Sequence, residues 1–496
     1  MPAATPRERI GWLLRVNRRL ARDPRWRTGK VFAAAFRPPG DRPLAESQIT
    51  RWENGTTSAP RAAIRRYEDL LGLAPHSLTT LKDALDRATG EPAATAEAGD
   101  PRRLHALLEV ATGAGPITGG EWDELTDLVR ARPGLVLHPP RLWQSLSQRL
   151  LTELAVAENS AWLQRQEAMS RLLGHPDAGV HAVDACIRLA SDPGNPVVVE
   201  PLSLLDTTAH PDANGHIRRM IAADGDDRAR YGALLAAVRK IRVRHFSPGE
   251  LGDIGRSVNA LLADPGLAGM LRPLAAEVNR ALTGETPPSA GGFSSDAGVK
   301  ARLIVARACS QAPVDRPAEV TLARLIGECL DSDNPDERLL SSMFVAATPL
   351  REPVAAAILD RVVTDLRGRR DTDLDAALRT LTNLGSEVHR PLIGQILTER
   401  EFGERARYAA AWATPHCAGA FPEPAWSRIL AIQLAAWQRS PDGLGREILH
   451  GVTYGIGTDS HRGLLHRVRE DARMPQEART TASWLLTTPA VISAGR

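Results

Sequence analysis

The sequence predicts an all-α chain, and three observations carry that prediction. Alanine and leucine, both strong helix formers, dominate a composition in which aromatic residues supply only 4 %. Apolar residues recur every three to four positions along most of the length, whereas the alternation expected of strands is nearly absent. Turns of one character punctuate the chain: GHPDAG (174–179), SDPGNP (191–196), AHPDANG (209–215) and DSDNPDER (331–338). Their His-Pro, Asp-Pro and Asn-Pro steps stop one helix, and an acidic or amide side chain can cap the next.

At 496 residues the chain is too long for one ordinary domain. Two stretches rich in Pro, Gly and small residues divide it, GEPAATAEAGDPR (90–102) and GETPPSAGGFSSD (284–296). The expected organisation is a head over 1–90 and a linker over 91–102. A helical body follows over 103–283, then a linker or long loop over 284–297 and a second half of the body over 298–496.

Five helices are expected in the head. The first covers about 7–21, with Ile10, Leu13, Leu14 and Leu20 on a common face, and the second about 29–36, GKVFAAAF. The third begins near Ala45 and ends at Asn54, where Gly55 supplies the left-handed residue that stops it. The fourth carries Pro60 in its first turn and turns Ile64, Tyr67, Leu70 and Leu71 inward. The fifth covers about 76–88, with Leu78, Leu81 and Leu85 inward. In the body, GVHAVDACIRLA (179–190) and RYGALLAAVRKI (230–241) show the helical period. Further helices are read at roughly 141–157, 247–263, 318–331, 352–367, 374–384, 425–438 and 477–487. Units of roughly 35–45 residues give a rhythm that resembles HEAT-like repeats, whose antiparallel helix pairs stack into an α-solenoid. A tetratricopeptide-like array and an irregular all-helical domain remain open as alternatives.

Charge is distributed unevenly. Residues 1–90 hold 17 Arg and Lys against 9 Asp and Glu, a balance of +8, which leaves −5 for the rest of a chain whose total is +3. A basic head on a mildly acidic body places any nucleic-acid contact at the N-terminal end. Cys186, Cys309, Cys329 and Cys417 lie far apart with no CxxC pair, which argues against a disulfide framework or zinc knuckle and fits a reducing compartment. The opening MPAATPRERIGWLL lacks the apolar core of a signal peptide, and no run approaches the roughly 18 apolar residues of a membrane span. The expectation is a cytoplasmic, nucleoid-associated protein with no membrane partner.

The segment LAESQITRWENG (44–55) is the one whose residue order suggests a chemical purpose. With ESQITRWENG, a following Pro60 and the helix IRRYEDLLGL, the head resembles the Cro/C1 repressor-type (XRE) helix-turn-helix family over about 80 of the 496 residues. A recognition helix buries one narrow stripe and offers the opposite one to the major groove. Here Ile49 and Trp52, at i and i+3, form the buried stripe. The resemblance implies that Glu46, Ser47 and Arg51 face base edges, with Arg51 suited to a bidentate contact to guanine. Gln48, Thr50, Asn54 and Thr56 are expected at phosphate or sugar, which set register. By the same resemblance Arg15 and Glu53 form a structural ion pair. Two insertions depart from the family pattern, ARDPRWRTGK (21–30) and FRPPGDRPL (36–44). Their basic residues, among them Arg22, Arg25, Arg27, Lys30, Arg37 and Arg42, are candidates to extend the phosphate footprint, with Arg27, Lys30, Arg37 and Arg42 preferred.

Elsewhere the signals for chemistry are weak. There is no GxGxxG after a strand, no phosphate-binding loop and no HExxH, so no catalytic, metal or cofactor residues are assigned. His416 beside Cys417 is better explained by a buried or loop role than by a nucleophile pair, and His461 and His466 are poorly spaced for a metal. The glycine-rich GVTYGIGTDS (451–460) is read as a loop between helices, and RKIRVRH (239–245) as a solvated helix end. Trp143, Trp162, Trp412, Trp426, Trp437 and Trp484 are read as packing residues, with Trp426 and Trp437 as possible walls of a ligand site.

The expected function is that of a sequence-specific transcriptional regulator, not an enzyme. It would bind double-stranded DNA, as a homodimer on half-sites about one helical turn apart. Its body would sense a small molecule or a protein ligand, or would dimerise. The alternative is an interaction scaffold whose body holds a partner while the head only localises it to DNA.

Overall fold

The structure, a computed structural model, describes residues 4–36, 44–91, 99–223, 225–285, 294–332, 334–367, 371–399, 401–417, 419–441 and 443–487. Among these there are 26 α-helices, a few short 3-10 turns and no strand, so the protein is all-α. The head contributes α1 (Pro6–Arg19), α2 (Gly29–Ala35), α3 (Glu46–Glu53), α4 (Arg61–Leu71) and α5 (Ser77–Thr89). There follow α6 (Pro101–Thr112), α7 (Gly119–Arg130), α8 (Arg141–Leu154), α9 (Asn159–Leu173), α10 (Ala178–Ser191), α11 (Val199–Leu204), α12 (Pro211–Ala222), α13 (Asp227–Arg242), α14 (Pro248–Ala263) and α15 (Leu271–Thr283). After the segment 286–293 come α16 (Ser295–Gln311), α17 (Arg316–Asp331), α18 (Pro335–Ala346), α19 (Arg351–Arg367), α20 (Asp371–Leu384) and α21 (Arg390–Thr398). The series closes with α22 (Glu404–Ala413), α23 (Glu423–Arg439), α24 (Gly443–Thr458), α25 (Arg462–Glu470) and α26 (Gln476–Thr487).

Among the described residues two compact units form: 4–85 with 294–487, and 86–285. In each, a helix of the body packs mainly on its chain neighbour and its next-but-one neighbour, as α8 does on α9 and α10, and α24 on α22, α23, α25 and α26. Such near-neighbour packing is the contact pattern of stacked helical pairs. Two of the four Pro-containing turns supply the N-cap side chain of the next helix, whereas Asp177 before α10 and Val198 before α11 make no such bond. His210 accepts from the amide of Asp212 to open α12, and Asn334 accepts from Asp336 and Glu337 to open α18.

Residues 86–285 are knit by two buried carboxylates. Glu153 on α8 accepts from Trp122 Nε1 at 2.7 Å, Arg149 Nε at 2.9 Å and Arg165 Nε at 3.2 Å, so one side chain ties α7, α8 and α9. Asp206 accepts from Arg239 Nη1 at 2.8 Å and Arg87 Nη1 at 3.2 Å. The reading of RKIRVRH as a solvated helix end holds for Arg242, Val243 and Arg244, exposed at the end of α13, but is corrected for Lys240. Lys240 is fully buried, and its ammonium donates to the carbonyls of Leu205, at 3.0 Å, and Thr208. Its neighbours explain this: the chain leaving α11 presents the carbonyls of Leu205 and Thr208 to the buried ammonium from α13. Burial pushes the Lys240 ammonium down to about 8.

GVTYGIGTDS is also corrected: it is not a loop but mostly the second half of α24. A Cβ on Gly455 would stand 2.6 Å from Trp426 Cη2, and one on Gly457 would stand 2.4 Å from Leu485 Cδ1. The glycines let α24 approach its neighbours closely. Trp426 is fully buried beneath it, its indole N–H 2.8 Å from Asp459, so it is a packing residue and walls no open site.

In the unit that contains the head, α1 is buried nearly all round. One face carries the expected Ile10, Leu13 and Leu14; the other docks on α17 and α18. There Arg9 pairs with Glu328 at 2.8 Å, Trp12 Nε1 donates to the Ala318 carbonyl at 3.1 Å, and Asn17 Nδ2 donates to the Ala347 carbonyl at 3.0 Å.

Candidate nucleic-acid interface

α3 is seated from below by aromatic packing. Ile49 and Trp52 are buried as the spacing predicts, and the Trp52 ring lies 5.6 Å from Phe36. Phe36 in turn contacts Tyr67 at 5.7 Å, and Phe32 contacts Tyr67 at 4.7 Å and Trp26 at 5.8 Å. α3 ends as expected at Gly55, with φ +68°. The amide of Gly55 donates to the Trp52 carbonyl at 3.1 Å and that of Thr56 to the Arg51 carbonyl at 2.9 Å. These two bonds form a Schellman motif, which satisfies carbonyls the helix end would leave bare.

The expected Arg15–Glu53 pair is corrected: Glu53 pairs with Arg18. Arg18 Nε reaches Glu53 Oε1 at 2.5 Å and Nη2 reaches Oε2 at 2.7 Å, while the Tyr67 hydroxyl donates to Oε1 at 3.0 Å. The same guanidinium donates through Nη1 to the carbonyls of Trp26 and Arg27, at 3.1 and 2.8 Å. α1, α3, α4 and the 3-10 turn Pro24–Arg27 thus meet on one buried cation. Arg15, three residues earlier and rotated away, donates to Asn54 Oδ1 at 2.9 Å and pairs with Asp315 at 2.5 Å.

α1 crosses the end of α3 at Gly11. A Cβ there would lie 2.7 Å from the Trp52 carbonyl oxygen and 2.9 Å from both Glu53 O and Gly55 N. All three are backbone atoms and cannot swing aside. Gly11→Ala gains about 1 kcal/mol in helix propensity but forces α1 off α3, so a net loss of about 1–2 kcal/mol is expected in urea unfolding. A stabilised protein would show that the two backbones separate freely.

The face of α3 opposite Ile49 and Trp52 presents Glu46, Ser47, Thr50 and Arg51, all exposed. Arg51 has no side-chain partner among the described residues. The Thr50 hydroxyl donates to the Glu46 carbonyl at 3.2 Å, and Gln48, half-buried, reaches the Thr57 hydroxyl at 3.5 Å. The Glu46 carboxylate rests against Gly29, where a Cβ would be 2.7 Å from Oε1, close to the favourable positive end of α2. That contact places the first turns of α2 and α3 side by side and brings exposed Arg27 and Lys30 to this end of the face. Arg25 stacks on Trp26 at 4.3 Å and pairs with Asp23 at 2.6 Å. Asn54 and Thr56 are exposed at the other end, Asn54 already engaged by Arg15. Arg37 and Arg42 lie outside the described residues.

Reasoning from sequence placed Tyr67 inward without its bond to Glu53, and missed Arg18, Arg9, Trp12 and Asp315. For Trp12 a signal existed: with Val16 it falls outside the Ile10–Leu13–Leu14 stripe, and an apolar second face on a helix announces a second packing partner.

Outside the head, the described residues contain no group of three or more His, Cys, Asp or Glu side chains able to hold a metal, and no helix long and apolar enough to cross a membrane. Cys417 is buried against Gly385, and its carbonyl accepts from Arg390 at 3.1 Å. Burial pushes the neighbouring His416 imidazole down to about 4. Its folded-state value is thus below that of the unfolded chain, so the unfolded state takes up the proton first. Stability is expected to fall as pH drops from about 6.5 towards 4, and burial of His216 and His245 acts in the same direction. Thermal midpoints measured across that window should decline less steeply for His416→Gln; identical slopes would contradict it.

No protein-family model matches the chain, and no curated protein matches it in sequence.

Proposed function

We propose that the chain is a DNA-binding transcriptional regulator whose head works as a Cro/C1-type helix-turn-helix, with α3 laid in the major groove. The observation that carries this reading is the two-sided character of α3. Its apolar stripe and Glu53 are locked to α1 and α4, while Arg51, Ser47, Glu46 and Thr50 are exposed on the opposite face, Arg51 with no side-chain partner among the described residues. A guanidinium without a protein partner among the described residues is suited to two parallel bonds to guanine O6 and N7. Arg27 and Lys30 flank the face and supply phosphate contacts, which position without specifying. The helical body is the part that senses a ligand, binds a partner or brings two copies together on paired half-sites.

Selection of duplexes from a randomised pool tests the reading. The wild-type chain is expected to enrich one motif. Arg51→Ala is expected to lose discrimination at one base pair by about 1–3 kcal/mol while keeping most non-specific affinity. An unenriched wild-type pool, or a motif unchanged by Arg51→Ala, would refute the assignment.

A further inference from the structure

The end of α3 that carries Asn54 meets an acid from the body. Asp315 is the N-cap of α17 and accepts from the Ala318 amide through Oδ1 at 3.2 Å. Its other oxygen, Oδ2, accepts from Arg15 Nε at 3.0 Å and Nη2 at 2.5 Å, and lies 3.2 Å from Arg19 Nη1. Arg15 in turn holds Asn54 Oδ1 at 2.9 Å. One carboxylate therefore faces two head arginines at the border of the exposed face of α3.

The rest of the docking surface differs in kind. Arg9 and Glu328 have side chains only 8 % and 4 % exposed, and Trp12 is 3 % exposed, so α1 stays seated on α17 without help from Asp315. The Asp315 pairs are wetter, with side chains of Arg15 18 %, Arg19 49 % and Asp315 24 % exposed. Wet ion pairs exchange partners readily. A phosphate oxygen offers the same charge and acceptor geometry as Oδ2.

We infer that Asp315 is an intramolecular counter-anion that competes with DNA phosphate for Arg15 and Arg19, so that the docked helical body lowers the affinity of the head for duplex DNA. This rests on the head binding DNA as proposed above. The partner concerned is the phosphate backbone next to the Asn54 end of α3, and the effect is independent of base sequence.

Asp315→Asn isolates the charge, because asparagine caps a helix as well as aspartate. Anisotropy titrations of the full chain with a duplex of arbitrary sequence, at several salt concentrations, are the measurement. Each phosphate contact adds about 0.9 to the slope of log K against log salt, so freeing two arginines is expected to steepen the slope by about 1–2. Affinity near 0.1 M salt should rise about three- to tenfold. Adding Arg15→Gln and Arg19→Gln to Asp315→Asn should cancel the gain. Glu423→Gln, the same charge change at the Arg467 pair, should leave the slope unchanged. Equal affinity and slope for wild type and Asp315→Asn would overturn the inference while leaving the proposed function standing. So would a gain that survives loss of both arginines. Failure of every variant to bind duplex would overturn the two together.

Discussion

Arg18→Ala is expected to destabilise the unit that contains the head by about 3–5 kcal/mol, the range for removing one partner of a buried ion pair. Arg18 and Glu53 have side chains each 5 % exposed, so neither is compensated by water. Without the guanidinium, the Glu53 carboxylate keeps only the Tyr67 hydroxyl, and the carbonyls of Trp26 and Arg27 lose their donor. The Tyr67 phenol is itself held far above its ordinary range by burial and by the Glu53 charge, so it remains a neutral donor and leaves the Glu53 charge uncompensated. Arg18→Lys should recover part of the loss, since an ammonium can reach one carboxylate oxygen but cannot span both together with two carbonyls. Urea unfolding gives the magnitude. Amide exchange in α3 should accelerate, because Glu53 is the last residue of that helix and anchors its buried side. A loss below about 1 kcal/mol would mean that the pair is incidental to the seating of α3.

The two arginines show where reading a sequence stops. Ile49, Trp52 and Gly55 were legible because helical period and the left-handed stop act over a few residues, and the sequence states both directly. The partner of Glu53 was not legible. Arg15 and Arg18 lie on the same helix within one turn, and which of them meets Glu53 depends on how α1 is rolled. That roll is set by Gly11, which brings α1 onto the end of α3, and by the docking of Trp12 and Arg9 on α17, more than 300 residues away in the chain. Similar limits explain the two misread segments. Glycines in 451–460 suggest a loop when only local propensity is weighed. They are helical because Trp426 and Leu485 fill the space their missing side chains leave. Within the basic run 239–245, Lys240 looks solvated like its exposed neighbours until the carbonyls of Leu205 and Thr208 are placed beside it. In each case the deciding atom belongs to another part of the chain, and helical periodicity records that a face is covered without recording by what.

Glu328→Ala is expected to cost about 3–5 kcal/mol in the same unit, by breaking the pair that seats the head on the body. The carboxylate accepts from Arg9 Nη2 at 2.8 Å and from the Ser341 hydroxyl, and Arg9 Nη1 also donates to Ser341 at 3.2 Å. Truncation leaves the Arg9 guanidinium buried with a hydroxyl and the Ala4 carbonyl as its remaining acceptors. Glu337, 3.8 Å from Arg9 and 28 % exposed, offers a weaker substitute, which favours the lower end of the range. Glu328→Gln keeps an acceptor and a similar shape, and should lose less than half as much. Replacing both members by apolar residues of similar size, Arg9→Met with Glu328→Leu, should cost far less than either truncation, because the penalty lies in the orphaned charge. Chemical unfolding of the three variants separates these cases. If the double replacement proved as damaging as Glu328→Ala, the pair would be specifying how α1 docks in addition to neutralising itself. The consequence for DNA binding then follows from Asp315. It can reach Arg15 and Arg19 only while α1 is seated, so Glu328→Ala should also steepen the salt dependence of binding, whereas Glu328→Gln should leave it near wild type.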